Sequence, residues 1–289
     1  MYKPLRLLIA ESETPEARER RKSSTGRSSG ETFAATLVEL QPGADVELTR
    51  PVEEGTPEWS SEALSGYDGI FLSGSPLHAW EDSPPVQRHK RFMHAAFSSA
   101  TPCFGSCAGL QVAVAAAGGS VRSKPGRHEA GLARRITPTD AGRRHPLLDG
   151  RPASWDALCV HSDEVEQLPP GATLLAGNAS TAVQAAEVRY GPGVFWGVQY
   201  HPEIPPGEIA EALVRQADGL IAQHLARTVD DVEAMASLLR ELEGEPARSD
   251  LLWRLGINEQ VADHAQRTLE LRNFLNHLVI PTRDTRRGT

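Results

Sequence analysis

The stretch Cys103-Phe-Gly-Ser-Cys-Ala-Gly-Leu-Gln111 decides the fold, because it carries an apolar run directly into a helical one. The helical pattern covers residues 110–117 and stops at two glycines. Gly105 and Gly109 flank Cys107, which gives the G-x-C-x-G form of a nucleophile elbow, a tight strand-to-helix turn that needs small neighbours. The turn sets Cys107 at a helix N-terminus, where the dipole favours the thiolate. Taken alone, the stretch also fits a buried structural cysteine.

A second motif, Val194-Phe-Trp-Gly-Val-Gln-Tyr-His-Pro-Glu203, lies about ninety residues further along the chain. Its apolar and aromatic part is typical of a buried strand. Pro202 ends the strand and stiffens the turn, so His201 and Glu203 are expected at a strand end, where sites form in open α/β sheets. A thiolate nucleophile needs a histidine that moves protons and a carboxylate that orients the histidine. The alternative is an ordinary surface turn with His201 in solvent.

The two motifs together resemble the class I glutamine amidotransferase family, and its GMP-synthetase-like branch in particular. In that family the catalytic triad is an elbow cysteine with the histidine and glutamate of an H-P-E motif. The resemblance covers roughly residues 5–225 and implies a triad of Cys107, His201 and Glu203. It also implies the family's flavodoxin-like fold, with the elbow at the carboxyl end of a strand.

The segment Tyr67-Asp-Gly-Ile-Phe-Leu-Ser-Gly-Ser-Pro76 is predicted to be a strand that ends in a glycine turn. By the resemblance, its loop supplies one backbone N–H of the oxyanion hole, from Gly74 or Ser75, and Ala108 supplies the other. Such donors stabilise the oxygen that becomes charged in the tetrahedral intermediate. Many family members have Gly-Gly-Pro where this chain has Gly-Ser-Pro, and the serine is expected to narrow the site. The loop also fits an ordinary proline-containing β-turn.

The segment Cys159-Val-His-Ser-Asp-Glu-Val165 resembles the H-x-D-x-V stretch that lines the glutamine pocket in the GMP-synthetase-like branch. The substrate-binding residues that the resemblance implies here and elsewhere are Gln111, His161, Ser162, Asp163 and Tyr200. A capped turn at Ser162 and Asp163, and a packed core position for Gln111, are the plain alternatives. The three cysteines form no C-x-x-C pair and no histidine cluster has ligand spacing, so no metal site is predicted.

Length and composition exclude several classes of protein. The chain has 289 residues, 39% hydrophobic content, a net charge of −8 and a pI of about 5.7, which argues against nucleic-acid binding. No apolar run is long enough for a membrane span, and the N-terminus fits a first strand better than a signal peptide. Three cysteines without framework spacing fit a reducing cytoplasm. No cofactor is predicted.

Apolar runs alternate with helical patterns along the first half of the chain, which predicts an α/β fold with a doubly wound, mostly parallel sheet and flanking helices. The predicted helices between the early strands cover residues 30–40, 85–98 and 110–117. Residues 130–190 contain strands without clear helices, and we expect them to form an antiparallel extension. The predicted strands are residues 5–10, 46–49, 69–73, 101–105, 133–137, 154–160, 173–178, 182–190 and 194–200.

Residues 11–30 separate the first strand from the first predicted helix and are polar and rich in Arg, Lys, Ser and Gly. A disordered surface loop is one interpretation of this composition. The other is a lid or acceptor-binding loop, because the loops between strands and helices surround the site in such sheets. The basic residues that would then meet an anionic acceptor or carboxylate are Arg18, Arg20, Arg21, Lys22 and Arg27.

The carboxyl end has a different character, and we place a domain boundary there. Residues 1–227 form the predicted amidotransferase-like domain, and residues 228–289 form a helical C-terminal extension. Within the extension, residues 259–278 have the pattern of one amphipathic helix. The extension is too short for a synthetase domain and has no phosphate-binding loop. It is expected to cap the core or to form a homodimer contact.

The predicted activity is that of a cysteine hydrolase in which the Cys107 thiolate attacks the γ-amide of glutamine through a γ-glutamyl thioester. Two fates of the nitrogen stay open. The chain either releases ammonia to a partner synthetase or ligase, or it works alone as a γ-glutamyl hydrolase or peptidase on γ-glutamyl amides. A binding domain without activity is a third hypothesis. The chaperones and proteases with an elbow cysteine are a fourth, and they typically lack H-P-E.

Overall fold

The computed structural model describes residues 3–124 and 128–288. Two short 3₁₀ turns cover Gly142–Arg144 and Pro146–Leu148. The strands are β1 (Arg6–Ala10), β2 (Asp45–Thr49), β3 (Gly69–Leu72), β4 (Cys103–Ser106), β5 (Ser120–Ser123), β6 (Glu129–Pro138), β7 (Trp155–His161), β8 (Asp163–Gln167), β9 (Ala172–Gly177), β10 (Ala185–Tyr190) and β11 (Gly193–Val198). The first helices are α1 (Pro15–Thr25), α2 (Ser29–Leu40), α3 (Ser61–Ser65), α4 (Pro84–Ser98), α5 (Ala108–Ala116), α6 (Pro206–Arg215) and α7 (Ala217–Ala222).

The main sheet has nine strands in the order β2-β1-β3-β4-β11-β10-β9-β6-β7. Strands β2, β1, β3, β4 and β11 are parallel, and the remaining pairings, from β11 to β7, are antiparallel. This arrangement confirms the predicted parallel sheet with an antiparallel extension. Strands β5 and β8 form a separate antiparallel pair, which the sequence did not indicate because each strand is short and partly exposed.

Apolar side chains cover both faces of the parallel strands, as expected for a doubly wound sheet. On one face Phe33 and Leu37 of α2 pack with Phe71 and Phe104 of the strands. On the other face α4 and α5 pack through residues such as Phe97. The strands are therefore held on both sides, and the loops at their carboxyl ends start from a rigid base.

The interpretation of residues 11–30 as a disordered loop is wrong, because most of this segment forms the helix α1. Thr14 caps its N-terminus, Pro15 begins it and Gly26 ends it with a φ of 75°. A capping box at Ser28 then starts α2 directly. Buried Glu11 also holds the segment in place. Its carboxylate accepts hydrogen bonds from the Gly30 amide and from the guanidinium of Arg50, the residue that follows β2.

The C-terminal helices are α8 (Val229–Gly244), α9 (Ser249–Leu255), α10 (Glu259–Ala262), α11 (His264–Arg267), α12 (Leu269–Phe274) and α13 (Ile280–Gly288), with a π-helical turn over Leu275–Val279. The prediction of one helix over residues 259–278 is wrong. Asp263 has an extended backbone and its side chain accepts a hydrogen bond from the Gln266 amide, so it ends α10 and starts α11. Gln216 separates α6 from α7.

The C-terminal helices pack onto the rest of the same chain. Helices α8, α9 and α10 share an apolar cluster with α6 and with Leu132 and Leu158 of the antiparallel strands. Phe274 of α12 reaches the parallel strands, where its ring lies 5.3 Å from that of Phe71 and 5.5 Å from that of Phe104. The extension thus covers sheet surface. The boundary at residues 227/228 and the homodimer stay predictions.

None of the helices in the described part of the chain combines the length and the apolar character that a membrane crossing requires.

Candidate active site

Cys107 lies between β4 and α5 in a backbone conformation that side chains seldom adopt, with φ 52° and ψ −111°. Its N–H donates to the carbonyl of Val198, which holds the turn against the neighbouring strand. A Cβ added to Gly109 would lie 2.6 Å from the carbonyl oxygen of Leu72, and one added to Gly105 would lie 2.9 Å from Gly109. Both glycines are therefore required by space, and the elbow is built as the sequence predicted.

His201 and Glu203 follow β11, which is the parallel neighbour of the elbow strand. The His201 Nδ1 lies 2.8 Å from Glu203 Oε1, and both side chains are buried. Ser106 Oγ donates to the same carboxylate oxygen at 2.7 Å, and Thr36 Oγ1 donates to the backbone carbonyl of Glu203. These contacts leave the other edge of the imidazole for the cysteine.

The electrostatics favour a charged imidazole. Burial alone would lower the pKa of His201, but the charge of Glu203 and hydrogen bonds to Cys107 and Glu203 raise it to about 10. At neutral pH the ring therefore carries a proton that faces the sulfur. A protonated His201 can stabilise a thiolate and can deliver a proton to a leaving amine.

The predicted oxyanion residues lie against this pair. A Cβ added to Gly74 would lie 2.6 Å from His201 Cε1, so the loop backbone touches the imidazole. Ala108 begins α5, and the N–H groups of a first helical turn have no helical acceptor. The side chain of Ser75 accepts a hydrogen bond from the Leu77 amide at 3.0 Å and so belongs to the turn.

Asp163 lies beside the cysteine in the same cleft and has one oxygen bonded and one free. Its Oδ2 lies 2.7 Å from His78 Nδ1 and 3.1 Å from Trp80 Nε1. Its Oδ1 is buried and has no hydrogen-bond partner within the described residues. Sequence reasoning missed His78 and Trp80, because their link to Asp163 spans more than eighty residues. The unpaired oxygen suits a cationic group such as an α-ammonium.

His161, Ser162 and Gln111 complete the inner wall of the cleft. His161 Nδ1 lies 2.9 Å from the carbonyl of Asp163, and its Nε2 lies 3.0 Å from the buried carboxylate of Glu129. Gln111 Nε2 donates to the same Asp163 carbonyl at 3.1 Å. The side chains thus fix the turn that presents Asp163.

The structure does not bring Tyr200 to the cleft with the other predicted residues. Successive residues of an extended chain point in opposite directions, so Tyr200 points away from the site that His201 enters. Its ring is buried in the core, and its hydroxyl donates to Glu270 Oε1 of α12 at 2.7 Å. Arg151 holds the same carboxylate at 2.7 Å.

The cleft has a volume of about 780 Å³ and reaches from Cys107 to two surface helices. Helix α1 contributes Arg20 and Arg21 to its outer wall, and α6 contributes Glu208 and Arg215. Of these, sequence reasoning named only the arginines of α1. The position of α6 directly after H-P-E is the signal that could have found the others. In the part of the chain that the structure describes, no group of acidic, His and Cys residues could hold a metal ion.

Comparisons with known proteins indicate the family of this chain. The family model "Glutamine amidotransferase class-I" matches residues 26–217. The chain is 34% identical over 283 residues to a γ-glutamyl-L-1-hydroxyisopropylamide hydrolase of Pseudomonas sp, covering 96% of this chain and 94% of that protein. It is 33% identical over 146 residues to the GMP synthase [glutamine-hydrolyzing] of Leifsonia xyli subsp. xyli (strain CTCB07), which is half of this chain but 28% of that protein.

The fold is also similar to a solved structure. A glutamine amidotransferase from Thermotoga maritima superposes with a TM-score of 0.60 at 17% identity, covering 96% of this chain and 99% of that one. At this identity the likeness concerns the fold alone. The family match and the similar hydrolase carry the assignment: this chain belongs to the class I glutamine amidotransferase family.

Proposed function

We propose that this protein hydrolyses γ-glutamyl amides and releases the amine instead of passing it to a synthetase. The observation that carries the proposal is the similarity to the Pseudomonas hydrolase, which extends over nearly the whole of both chains. That protein is named for a γ-glutamyl amide whose amine portion is more than ammonia. The buried set of Cys107, His201 and Glu203 supports the same chemistry.

The proposed reaction begins with attack by the Cys107 sulfur on the γ-carbonyl carbon. N–H groups of Ala108 and of Gly74 or Ser75 stabilise the oxyanion. The C–N bond then breaks as His201 donates its proton to the leaving amine, and a γ-glutamyl thioester remains on the cysteine. Water, deprotonated by His201, hydrolyses the thioester to glutamate and free thiol.

The glutamyl end of the substrate fits the inner wall. Asp163 Oδ1 is buried and unpaired among the described residues, and its charge suits the α-ammonium group. His78 and Trp80 hold the other oxygen, so the carboxylate is positioned before substrate binds. A preorganised group of this kind reduces the ordering cost of binding.

A second candidate function is release of ammonia from glutamine to a partner synthetase or ligase. The match to the GMP synthase supports it, because that protein is named for glutamine hydrolysis. Only half of this chain and 28% of the GMP synthase take part in that match. Glutamine therefore belongs in the substrate panel beside the larger amides.

The test measures glutamate release from glutamine and from a set of γ-glutamyl amides. The variant Cys107→Ala should lose at least about 10³-fold in kcat/KM on whichever substrates are cleaved. Cys103→Ala is the matched control, because this cysteine is buried in β4 with its sulfur on the Thr101 carbonyl and lies outside the cleft.

Release from γ-glutamyl amides that exceeds release from glutamine supports the hydrolase. Release from glutamine alone would favour the ammonia-supplying function instead. Full activity in Cys107→Ala would contradict both.

A further inference from the structure

The outer wall of the cleft carries charge that the proposed chemistry does not use. Helix α1 packs against α6, and their facing sides bring Arg21 together with Glu208 at 2.5 Å. Arg215 of α6 is in contact with Ser24 of α1 across the same junction. The two helices thus form one wall, which brings the guanidinium groups of Arg20, Arg21 and Arg215 to the cleft.

The guanidinium of Arg21 is buried in this wall, and one of its donors is unpaired within the described residues. The residue is 9% exposed, lines the cleft, and its Nε finds no acceptor among the residues that the structure describes. Its Nη2 is used by Glu208, whose carboxylate also accepts from Thr32 Oγ1 at 2.8 Å. A buried cationic donor without an acceptor is unfavourable, and a ligand oxygen can supply what is missing.

The neighbouring charges make the need for an anion larger. Burial lowers the pKa of Arg215, and the like charge of Arg21 lowers it further. Glu13 and Glu208 are the carboxylates that line this part of the cleft, and Glu211 of α6 also acts on Arg215. Burial raises the pKa of Glu13 against the opposing effect of Arg21. Arg20 adds a third guanidinium at the rim. Three guanidinium groups therefore line this part of the cleft with two carboxylates. Both carboxylates are already held, Glu208 by Arg21 and Thr32, and Glu13 by the Ser29 amide.

We infer that this wall is a subsite for a carboxylate carried by the amine portion of the substrate. The inference rests on the proposed function. Because the glutamyl end of the substrate is assigned to Asp163, the amine portion is expected to lie against the part of the cleft that α1 and α6 form. Guanidinium groups bind carboxylates with strong, oriented hydrogen bonds. The substrate class is thus γ-glutamyl amides of amino acids.

The experiment compares amides that differ only in this carboxylate. The pairs are γ-glutamylglycine with γ-glutamylethylamide, and γ-glutamyl-β-alanine with γ-glutamylpropylamide. In the unaltered protein at least one pair should favour the carboxylate by about tenfold or more in kcat/KM. In Arg215→Gln and in Arg21→Lys, which retains the charge but removes the Nε donor, that ratio should fall towards one.

Lys22→Gln is the matched control. It removes one positive charge from the same helix, but Lys22 pairs with Glu31 outside the cleft. The ratio should stay as in the unaltered protein. Arg215→Glu adds a measurement that does not depend on Arg21: it should favour the γ-glutamyl amide of ethylenediamine, whose free amine is cationic, over γ-glutamylpropylamide.

Four outcomes overturn the inference while the proposed function stands. The first is that neither pair of amides shows a preference for the carboxylate, and the second is that the arginine variants keep the kcat/KM ratio of the unaltered protein. The third is an equal loss of kcat/KM for all amides in the arginine variants, which would place the arginines on the glutamyl carboxylate. The fourth is a preference for γ-glutamylethanolamide, which carries a hydroxyl, over the amides that carry a carboxylate. Absence of Cys107-dependent release from every amide would instead contradict the proposed function itself.

Discussion

The two walls of the cleft are built by different means. The inner wall stands on the sheet: Cys107 and His201 follow adjacent parallel strands, and each is held by backbone and buried side-chain contacts. The outer wall is formed by α1 and α6, which are joined by the Arg21–Glu208 ion pair and by a hydrogen bond from Arg215 to Ser24. The difference indicates that the reaction is fixed by the core, whereas the choice of amine portion is set by surface helices.

After Cys107→Ala, the largest effect expected at the inner wall comes from Glu203→Gln. The carboxylate raises the pKa of His201 to about 10 against the effect of burial, so its loss lowers that pKa. Because the protonated ring donates to the leaving amine, the alkaline limb of the kcat/KM profile, which reports the free protein, should move from about pH 10 to lower pH. The value of kcat should fall by about 10²–10³-fold.

Glu187→Gln is the control for Glu203→Gln. It removes another buried carboxylate, one that lies 3.2 Å from His145 and outside the cleft. Its pH profile should match that of the unaltered protein. An alkaline limb that stays in place in Glu203→Gln would show that Glu203 does not control His201.

A smaller effect is expected from Gly74→Ala. The added Cβ would lie 2.6 Å from His201 Cε1, so the ring or the loop has to move. Displacements of this size cost up to about 10²-fold when they affect groups that must be aligned. Steady-state kinetics should show the loss mainly in kcat. Gly219→Ala in α7 has open space at its Cβ and should leave kcat unaltered; equal kinetics for the two variants would argue against the contact.

The smallest effect on activity is expected from Tyr200→Phe, because Tyr200 is buried in the core next to His201 in sequence and does not line the cleft. Removal of its bond to the buried Glu270 should lower the free energy of unfolding by about 1.5–3 kcal/mol. Thermal or urea unfolding measures this, and KM should change little. Tyr190→Phe, at an exposed position, should unfold like the unaltered protein. A large rise in KM for Tyr200→Phe would return Tyr200 to the substrate pocket.

The inner wall was predictable from the sequence, and the outer wall was only partly so. The elbow and H-P-E are local: glycine spacing and a strand-ending proline fix the backbone whatever surrounds them. The apolar runs likewise indicated every strand of the main sheet. The free oxygen of Asp163 was not predictable, since it depends on His78 and Trp80 from a distant loop.

The outer wall depends on pairs that no local pattern reveals. The caps of α1 at Thr14, Pro15 and Gly26 are visible in the sequence, although the polar composition argued for a loop. The docking of α1 depends on Arg21 and Glu208, which are 187 positions apart. In the tail, Asp263 interrupts a continuous amphipathic pattern by capping the next helix, and the apolar periodicity concealed the break.

The most direct measurement of the central claim is the mass of the protein during turnover. A γ-glutamyl amide is mixed with the protein, the reaction is quenched in acid, and the intact chain is weighed and digested. We predict a fraction of the chain that is heavier by one glutamyl group, with the group on Cys107 and absent from Cys107→Ala. Glutamate release without any such adduct, or an adduct on Cys103 or Cys159, would contradict the assignment of Cys107 as the nucleophile.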